Sequence, residues 1–298
     1  MGRLTGSLLV LIGGASYGLL STFAKLAYGE GFTTSQVVSS QAFGGWLFFI
    51  LTCLPLGKQL LAINWQDRGA LLVSGAMSGL TGALYYASLQ YLSASYAVIL
   101  LFQFTWMAML IDWLYFKQRP TRYQGLALAL IVVGTYLAAV ASQNTMPEQV
   151  NLVGVLLGLL SACSYTLFIT FSGHVATKVP TLVRNLWMVT GSLVLVFVIF
   201  PPEFLWDGSL QRGLWLWGGL LGAFGILVPF YCFAKGVPVV GAGMAGLLGS
   251  VELPMVLVTS HYFLQETLST NQLFGVVIIL LGVALSIYRP QQDKVLLD

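Results

Sequence analysis

Ten apolar stretches, each long enough to cross a bilayer, follow one another along this 298-residue chain with little between them. They cover roughly 4–28, 35–55, 69–91, 94–116, 122–142, 151–175, 181–200, 213–235, 239–262 and 271–289, and a crossing helix needs about 20 such residues. Turn-forming or charged residues separate them, as at Gly29-Glu30-Gly31, Pro55 to Lys58, Asn144 to Pro147 and Pro201-Pro202-Glu203. Only 8% of the chain is charged and 57% is hydrophobic, too little polar material to cover a soluble globule of this size. An open sheet cannot satisfy its backbone in lipid, and a barrel would show alternating segments of about ten residues. The expected fold is therefore an all-α integral membrane protein with ten transmembrane helices.

The same composition narrows the function. A net charge of +3, from 13 basic and 10 acidic residues, is too small for a nucleic-acid footprint. Cys53, Cys163 and Cys232 are scattered through apolar runs, and with two histidines they make no metal-binding pattern, so they read as small buried hydrophobes. No metal and no cofactor is expected. The chain carries no Walker A loop, no HExxH and no dinucleotide fingerprint, so neither an ATPase nor another enzyme is read from it. No obligate protein partner is evident; the expected partners are the lipid bilayer and a small-molecule substrate.

Cations set the orientation. With the amino end inside, Arg3, Lys58, Arg68, Lys117, Arg119, Arg122, Lys178, Arg184, Lys235, Arg289 and Lys294 fall on the inner side, and Lys25 and Arg212 on the outer. Cytoplasmic loops carry the excess of Lys and Arg, so both termini are expected in the cytoplasm of a cell (inner or plasma) membrane. These cations read as topogenic and solvated, and the first span, lacking a cleavage site of small residues, as a retained helix.

The two halves match at a constant offset of 148. Between Leu4–Ala27 and Leu152–Val175, ten of 24 positions are identical, among them Ser16-Tyr17 with Ser164-Tyr165 and Thr22-Phe23 with Thr170-Phe171. The offset also pairs Gly134 with Gly282 and Gln118 with Glu266. Residues 1–146 and 149–298 thus read as two five-helix repeats. An odd number of spans per repeat makes the second inverted with respect to the first, as in many secondary transporters.

Several motifs then resemble those of the drug/metabolite transporter superfamily, in its ten-helix EamA branch. They are Gly14 to Gly18 running on to Phe23-Ala24-Lys25-Leu26-Ala27, Ala83 to Ser95, and Tyr231 to Pro238. Val251-Glu252-Leu253-Pro254 and Leu264-Gln265-Glu266-Thr267-Leu268, leading to Gly275 and Gly282, complete the likeness. The resemblance implies export of small organic, amino-acid-like metabolites; alternating access is the expectation from the inverted halves, and an aromatic or amphipathic substrate body is what the candidate pocket residues below would suit. The first half departs from the pattern with Trp106 in place of a proline and Gln118 in place of Glu, and Gln265 replaces a glycine. Helix one lacks the carboxylate of the small four-helix relatives, so their kind of proton coupling is not carried over. The competing reading is a passive facilitator or channel without ion coupling.

Glu252 is the carboxylate deepest within a span, within about 3 Å of the midpoint of the ninth at the helical rise per residue. A carboxylate there costs about 2.5–3.5 kcal/mol on insertion scales and needs a partner, a proton or a water-lined cavity. It is the candidate coupling residue, with protons the candidate ion; the alternative is a structural role beside Pro254. Ser16, Tyr17, Ser164 and Tyr165, symmetry mates near mid-span, are expected to line a central cavity or to glue helices. Gln41, Tyr85, Tyr86, Gln103, Trp106 and Tyr231 are further candidates for an aromatic and amide-lined pocket. Trp46, Trp187, Trp215 and Trp217 are expected at interfaces or in lipid, and Asp112 beside Lys117 or Arg119. The orientation is testable. In a variant without the native cysteines, an impermeant maleimide added outside should label Glu148→Cys and spare Arg119→Cys; the reverse labelling overturns it.

Overall fold

Residues 2–56, 63–88, 91–92, 94–139, 151–265 and 268–287 are described by the computed structural model. Lys58, Arg289 and Lys294, the loops at Glu148 and Glu266, and the Asn144–Pro147 break lie outside them. Every regular element among the described residues is a helix. In chain order these are α1 Arg3–Gly29, α2 Thr34–Cys53, α3 Trp65–Ser88, α4 Ala94–Leu101, α5 Phe104–Leu114 and α6 Arg122–Ala139. The second half holds α7 Leu152–His174, α8 Thr181–Ile199, α9 Leu210–Val240, α10 Ala242–Gly249, α11 Glu252–Leu264 and α12 Thr270–Ile287.

Local sequence explains where the helices start. Thr33 and Gln36 form a capping box at α2, and Asn151 accepts the Val153 N–H at α7. Thr121 with Gln124 at α6, and Ser269 with Gln272 at α12, make the same reciprocal pair 148 residues apart. Among the described residues, eight spans are long and apolar enough to cross a membrane, α10 and α11 counting together as one. At the fourth and fifth of the ten expected spans stand shorter apolar helices, Ile99–Leu114 and Arg122–Ala138.

Among the described residues, the fourth and ninth spans are interrupted near their middles, and Gly213, at φ +106, kinks α9 close to its start. The fourth breaks between α4 and α5 at Phe102 and Gln103, the ninth between α10 and α11 at Ser250 and Val251. These positions are again 148 apart. The freed carbonyls find side chains: Gln103 Nε2 donates to Ile99 O at 2.9 Å, and Ser250 Oγ to Gly246 O at 3.4 Å. Backbone irregularity at membrane depth is tolerated only where such groups, protein or a cavity satisfy it.

The most extensive helix packing runs across the halves. α1 lies against α9 and α11, α3 against α7 and α8, α2 against α8 and α9, α5 against α10, and α6 against α12. The contacts are reciprocal in detail. Gly6 abuts Val239 and Val240, and Gly154 abuts Tyr91 and Leu92; Gly134 abuts Gly275 and Ile279, and Gly282 abuts Ala127 and Ile131. Adding 148 to one partner and subtracting it from the other converts each set into its mate, which is what a two-fold relation between the halves produces.

One end of the bundle is tied by buried charge. Gly241, at φ +88, turns the chain sharply between α9 and α10, a conformation that favours glycine. The turn aims the N–H groups of Ala242 and Gly243 at the buried Asp112 carboxylate, at 3.2 and 2.6 Å. Asp112 thus caps α10, and these amides take the place of the Lys117 or Arg119 partner expected from sequence. Arg184 is likewise buried and not a solvated topogenic charge. Its guanidinium donates to Ser172 O at 3.1 Å and Ala234 O at 2.6 Å, joining α7, α8 and α9. Two of the tryptophans expected at interfaces or in lipid make hydrogen bonds between helices: the Trp46 indole N–H reaches Thr190 Oγ1 at 3.1 Å, and that of Trp217 reaches Glu30 Oε2, at the end of α1, at 2.7 Å. Cys53 and Cys232 are buried, whereas Cys163 is exposed on the outside of the bundle.

Small residues carry the closest crossing. A Cβ at Gly75 would collide with the Met188 carbonyl, and one at Gly191 with that of Leu72, so α3 and α8 touch backbone to backbone. Gly75→Ala is expected to cost about 1–3 kcal/mol by overpacking. Gly69→Ala, where a Cβ meets nothing within 4 Å, is expected to be neutral or slightly stabilising. Thermal denaturation of the two purified variants in detergent checks the contrast.

Candidate functional site

Both helix breaks face one cavity of about 300 Å³ between the halves. Its wall is a set of helical stripes: Tyr17, Leu20, Ser21 and Ala24 of α1, and Ser78, Thr81, Gly82 and Tyr85 of α3, each spaced i, i+3, i+4, i+7. Gln41 from α2, Tyr165 from α7 and Ser192 from α8 face them, and Phe102 and Glu252 enter from the two breaks. The volume is at the lower end of the range for small-molecule pockets.

Of the residues singled out from sequence, Tyr17, Gln41, Tyr85, Tyr86, Tyr165 and Glu252 meet at this cavity. Tyr17 and Tyr165 touch edge to face, their centroids 6.2 Å apart, and Phe104 braces Tyr165 at 4.6 Å. Such aromatic pairs fix ring orientation and are worth about 0.5–1.5 kcal/mol beyond burial. Gln41 is seated against Gly225, where a Cβ would come 2.5 Å from its Nε2. That glycine lies in a π-helical turn, Ala223–Leu227, within α9.

Glu252 is the first residue of α11. A negative charge at a helix N-terminus gains about 0.3–1 kcal/mol from the unpaired N–H groups there. The carboxylate is close enough to act electrostatically on the hydroxyls of Tyr17, Tyr85 and Tyr165.

The other five candidates stand elsewhere. Ser16 Oγ donates to Phe224 O and Ser164 Oγ to Met77 O, the latter at 2.7 Å, so both serines tie helices together across the halves. The two bonds are mates to within one residue of the 148 offset. Gln103 serves the break in the fourth span and accepts the Trp106 indole N–H at 2.9 Å, while Trp106 itself is 38% exposed. Tyr231 receives a hydrogen bond from Lys235 Nζ at 2.6 Å, within α9 and away from the cavity. Sequence reasoning missed Ser21, Ser78, Thr81 and Ser192. The first three follow from Tyr17 and Tyr85 by extending each tyrosine's own helical face.

The EamA-like transporter family model matches the chain twice, over residues 4–140 and 152–288. Both ends of the second match lie 148 residues after those of the first. An uncharacterized transporter of Archaeoglobus fulgidus is 27% identical over 94% of this chain and 96% of its own. An uncharacterized transporter of Synechocystis is 24% identical, over 76% of this chain and 68% of its own. A chain of known crystal structure superposes with a TM-score of 0.76 at 17% identity, over 96% of this chain and 98% of that one, which shows a shared fold.

The geometry separates structural hydroxyls from those of the cavity. Ser16→Ala and Ser164→Ala are each expected to lower stability by about 0.6 kcal/mol, the mean for interhelical hydrogen bonds in membranes, and by similar amounts. Unfolding of the two variants in detergent measures the cost; a large difference between them would deny their equivalence.

Proposed function

This chain belongs to the EamA-like transporter family, and we propose that it carries small organic molecules through the cavity between its halves by alternating access. One observation carries the reading: the paired helix breaks converge on a cavity large enough for a small organic body. Transporter sites are commonly built at discontinuous helices near the interface of two repeats, and rocking of one repeat against the other exposes such a site to either side. Reciprocal cross-half contacts support this, because a two-fold pair of halves has two equivalent ways to close.

With both termini in the cytoplasm of a cell membrane, the lining residues Ser21, Val38 and Ser192 fall in the outer halves of their helices. Asp112, Arg184 and Gly241 fall at the inner end. The contacts of the buried Asp112 and Arg184 then tie helices together at the inner end, beside a second cavity of about 320 Å³ that Asp112 and Gly241 line. Outward movement of substrate is what the family resemblance implies. Glu252 is the coupling residue on this reading, because opening to one side or the other changes its hydration and therefore its affinity for a proton.

Reconstituted liposomes test the proposal. Preloading with unlabelled substrate should accelerate uptake of the labelled compound, and the rate should saturate. Flux that is linear in concentration and indifferent to preloading would identify a channel or passive facilitator. Glu252→Gln keeps the side-chain shape while removing the ionisable carboxyl. It is expected to lose pH-dependent net transport; a fully active and still pH-dependent variant removes Glu252 from coupling.

A further inference from the structure

Among the described residues lining the central cavity, Glu252 is the sole carboxylate, and no lysine, arginine or histidine joins it. Its carboxylate makes no hydrogen bond or ion pair with any described residue. The neighbouring polar groups are hydroxyls and one amide, from Tyr17, Tyr85, Tyr165, Ser21 and Gln41. Apolar side chains such as Leu20, Val38, Phe102 and Ile226 supply most of the remaining wall. Elsewhere in the molecule the deep charges are matched: Asp112 by two backbone N–H groups and Arg184 by backbone carbonyls. Asp112 also borders a cavity but is held by those two N–H groups, so Glu252 is the one of the three without a hydrogen-bond partner among the described residues.

We propose that the cavity selects organic cations: small amines or quaternary ammonium compounds with an aromatic or apolar body, their nitrogen held at Glu252 among the rings of Tyr17, Tyr85 and Tyr165. The inference rests on the cavity being the substrate site. A carboxylate without a partner in a low-dielectric site repels an anion and leaves a neutral guest's binding energy uncompensated for the charge. A cation supplies the missing partner, and aromatic faces attract it further. The same inventory disfavours zwitterions. An amino acid would bring its own carboxylate beside Glu252, and no cationic side chain lines the cavity to receive it. The amino-acid-like substrates implied by the family resemblance are therefore the poorer fit, and the amine that remains when the carboxylate is removed is the better one.

A matched series with one common body isolates the charge: phenethylammonium, 2-phenylethanol, L-phenylalanine and 3-phenylpropionate. Each is titrated calorimetrically into the purified protein in detergent at neutral pH. Phenethylammonium is expected to bind at least tenfold more tightly than each of the other three. Glu252→Gln should abolish that preference, and Glu252→Asp should retain part of it. Absence of a preference for the cation in the unmodified protein overturns the proposal, whatever the variants do, as does a preference that survives Glu252→Gln. Should the Gln variant fail to fold, the wild-type series and Glu252→Asp decide the question. Binding in detergent is independent of turnover. Cation preference without counterflow in liposomes would remove the transport reading alone, and counterflow of anions or zwitterions without that preference would remove this inference alone.

Discussion

Lipid offers no hydrogen bonds, so a helix interrupted in mid-membrane has to find donors and acceptors within the protein. This constraint governs the two breaks at Phe102–Gln103 and Ser250–Val251, and the rest of the architecture follows from how it is met. Gln103 and Ser250 take up freed carbonyls with their own side chains. The remaining polar ends open on a cavity, where a ligand or water can reach them. α11 thereby begins at the cavity wall, and its first residue is the acid Glu252. Moving the break by a turn would carry Glu252 away from Tyr17 and Tyr165, because their approach depends on both the helix start and the α1–α11 crossing at Gly18.

That crossing is close. A Cβ at Gly18 would lie 2.6 Å from Met255 Cβ and 2.7 Å from the Glu252 carbonyl. Thr22 and Thr259 join the same pair of helices farther along, their hydroxyls 2.9 Å apart. Without a hydrophobic drive between helices in lipid, such small-residue contacts and hydroxyl bonds carry the association. They recur across the halves with the 148-residue spacing at Gly6 and Gly154, at Gly134 and Gly282, and at Ser16 and Ser164.

The chemistry departs from this symmetry where the scaffold keeps it. The mate of Glu252 is Phe104, which braces Tyr165 instead of bearing charge, and the mate of Asp112 is Ser260, which bonds only the carbonyl of Leu257 in its own helix. One half therefore supplies the acid at the central cavity and the other the acid that caps α10. On the proposed alternating-access reading, a duplicated fold offers two related closures, and unequal side chains make them energetically different. A difference in energy between two states is what a ligand acts upon.

Much was legible before any contact was known. Hydropathy alone determines a multi-span helical membrane protein, because bilayer thickness sets a length that ordinary globular helices do not need. The 148-residue offset marks the halves, and the reciprocal capping pairs at Thr121 and Ser269 stand in the sequence as Thr-x-x-Gln and Ser-x-x-Gln. Glu252 stands out because a mid-span carboxylate is costly wherever the helix goes. Tertiary structure alone decided which polar residues meet. Ser16 and Tyr17 are neighbours in sequence, yet about 100° apart around α1, so one bonds α9 and the other faces the cavity. Trp106 and Tyr231 look as suitable as Tyr85 in composition, but their helix faces turn outward or toward Lys235. Hydropathy cannot distinguish those faces, since lipid and protein interior are equally apolar; only the crossing of one helix by another makes a polar side chain part of a cavity.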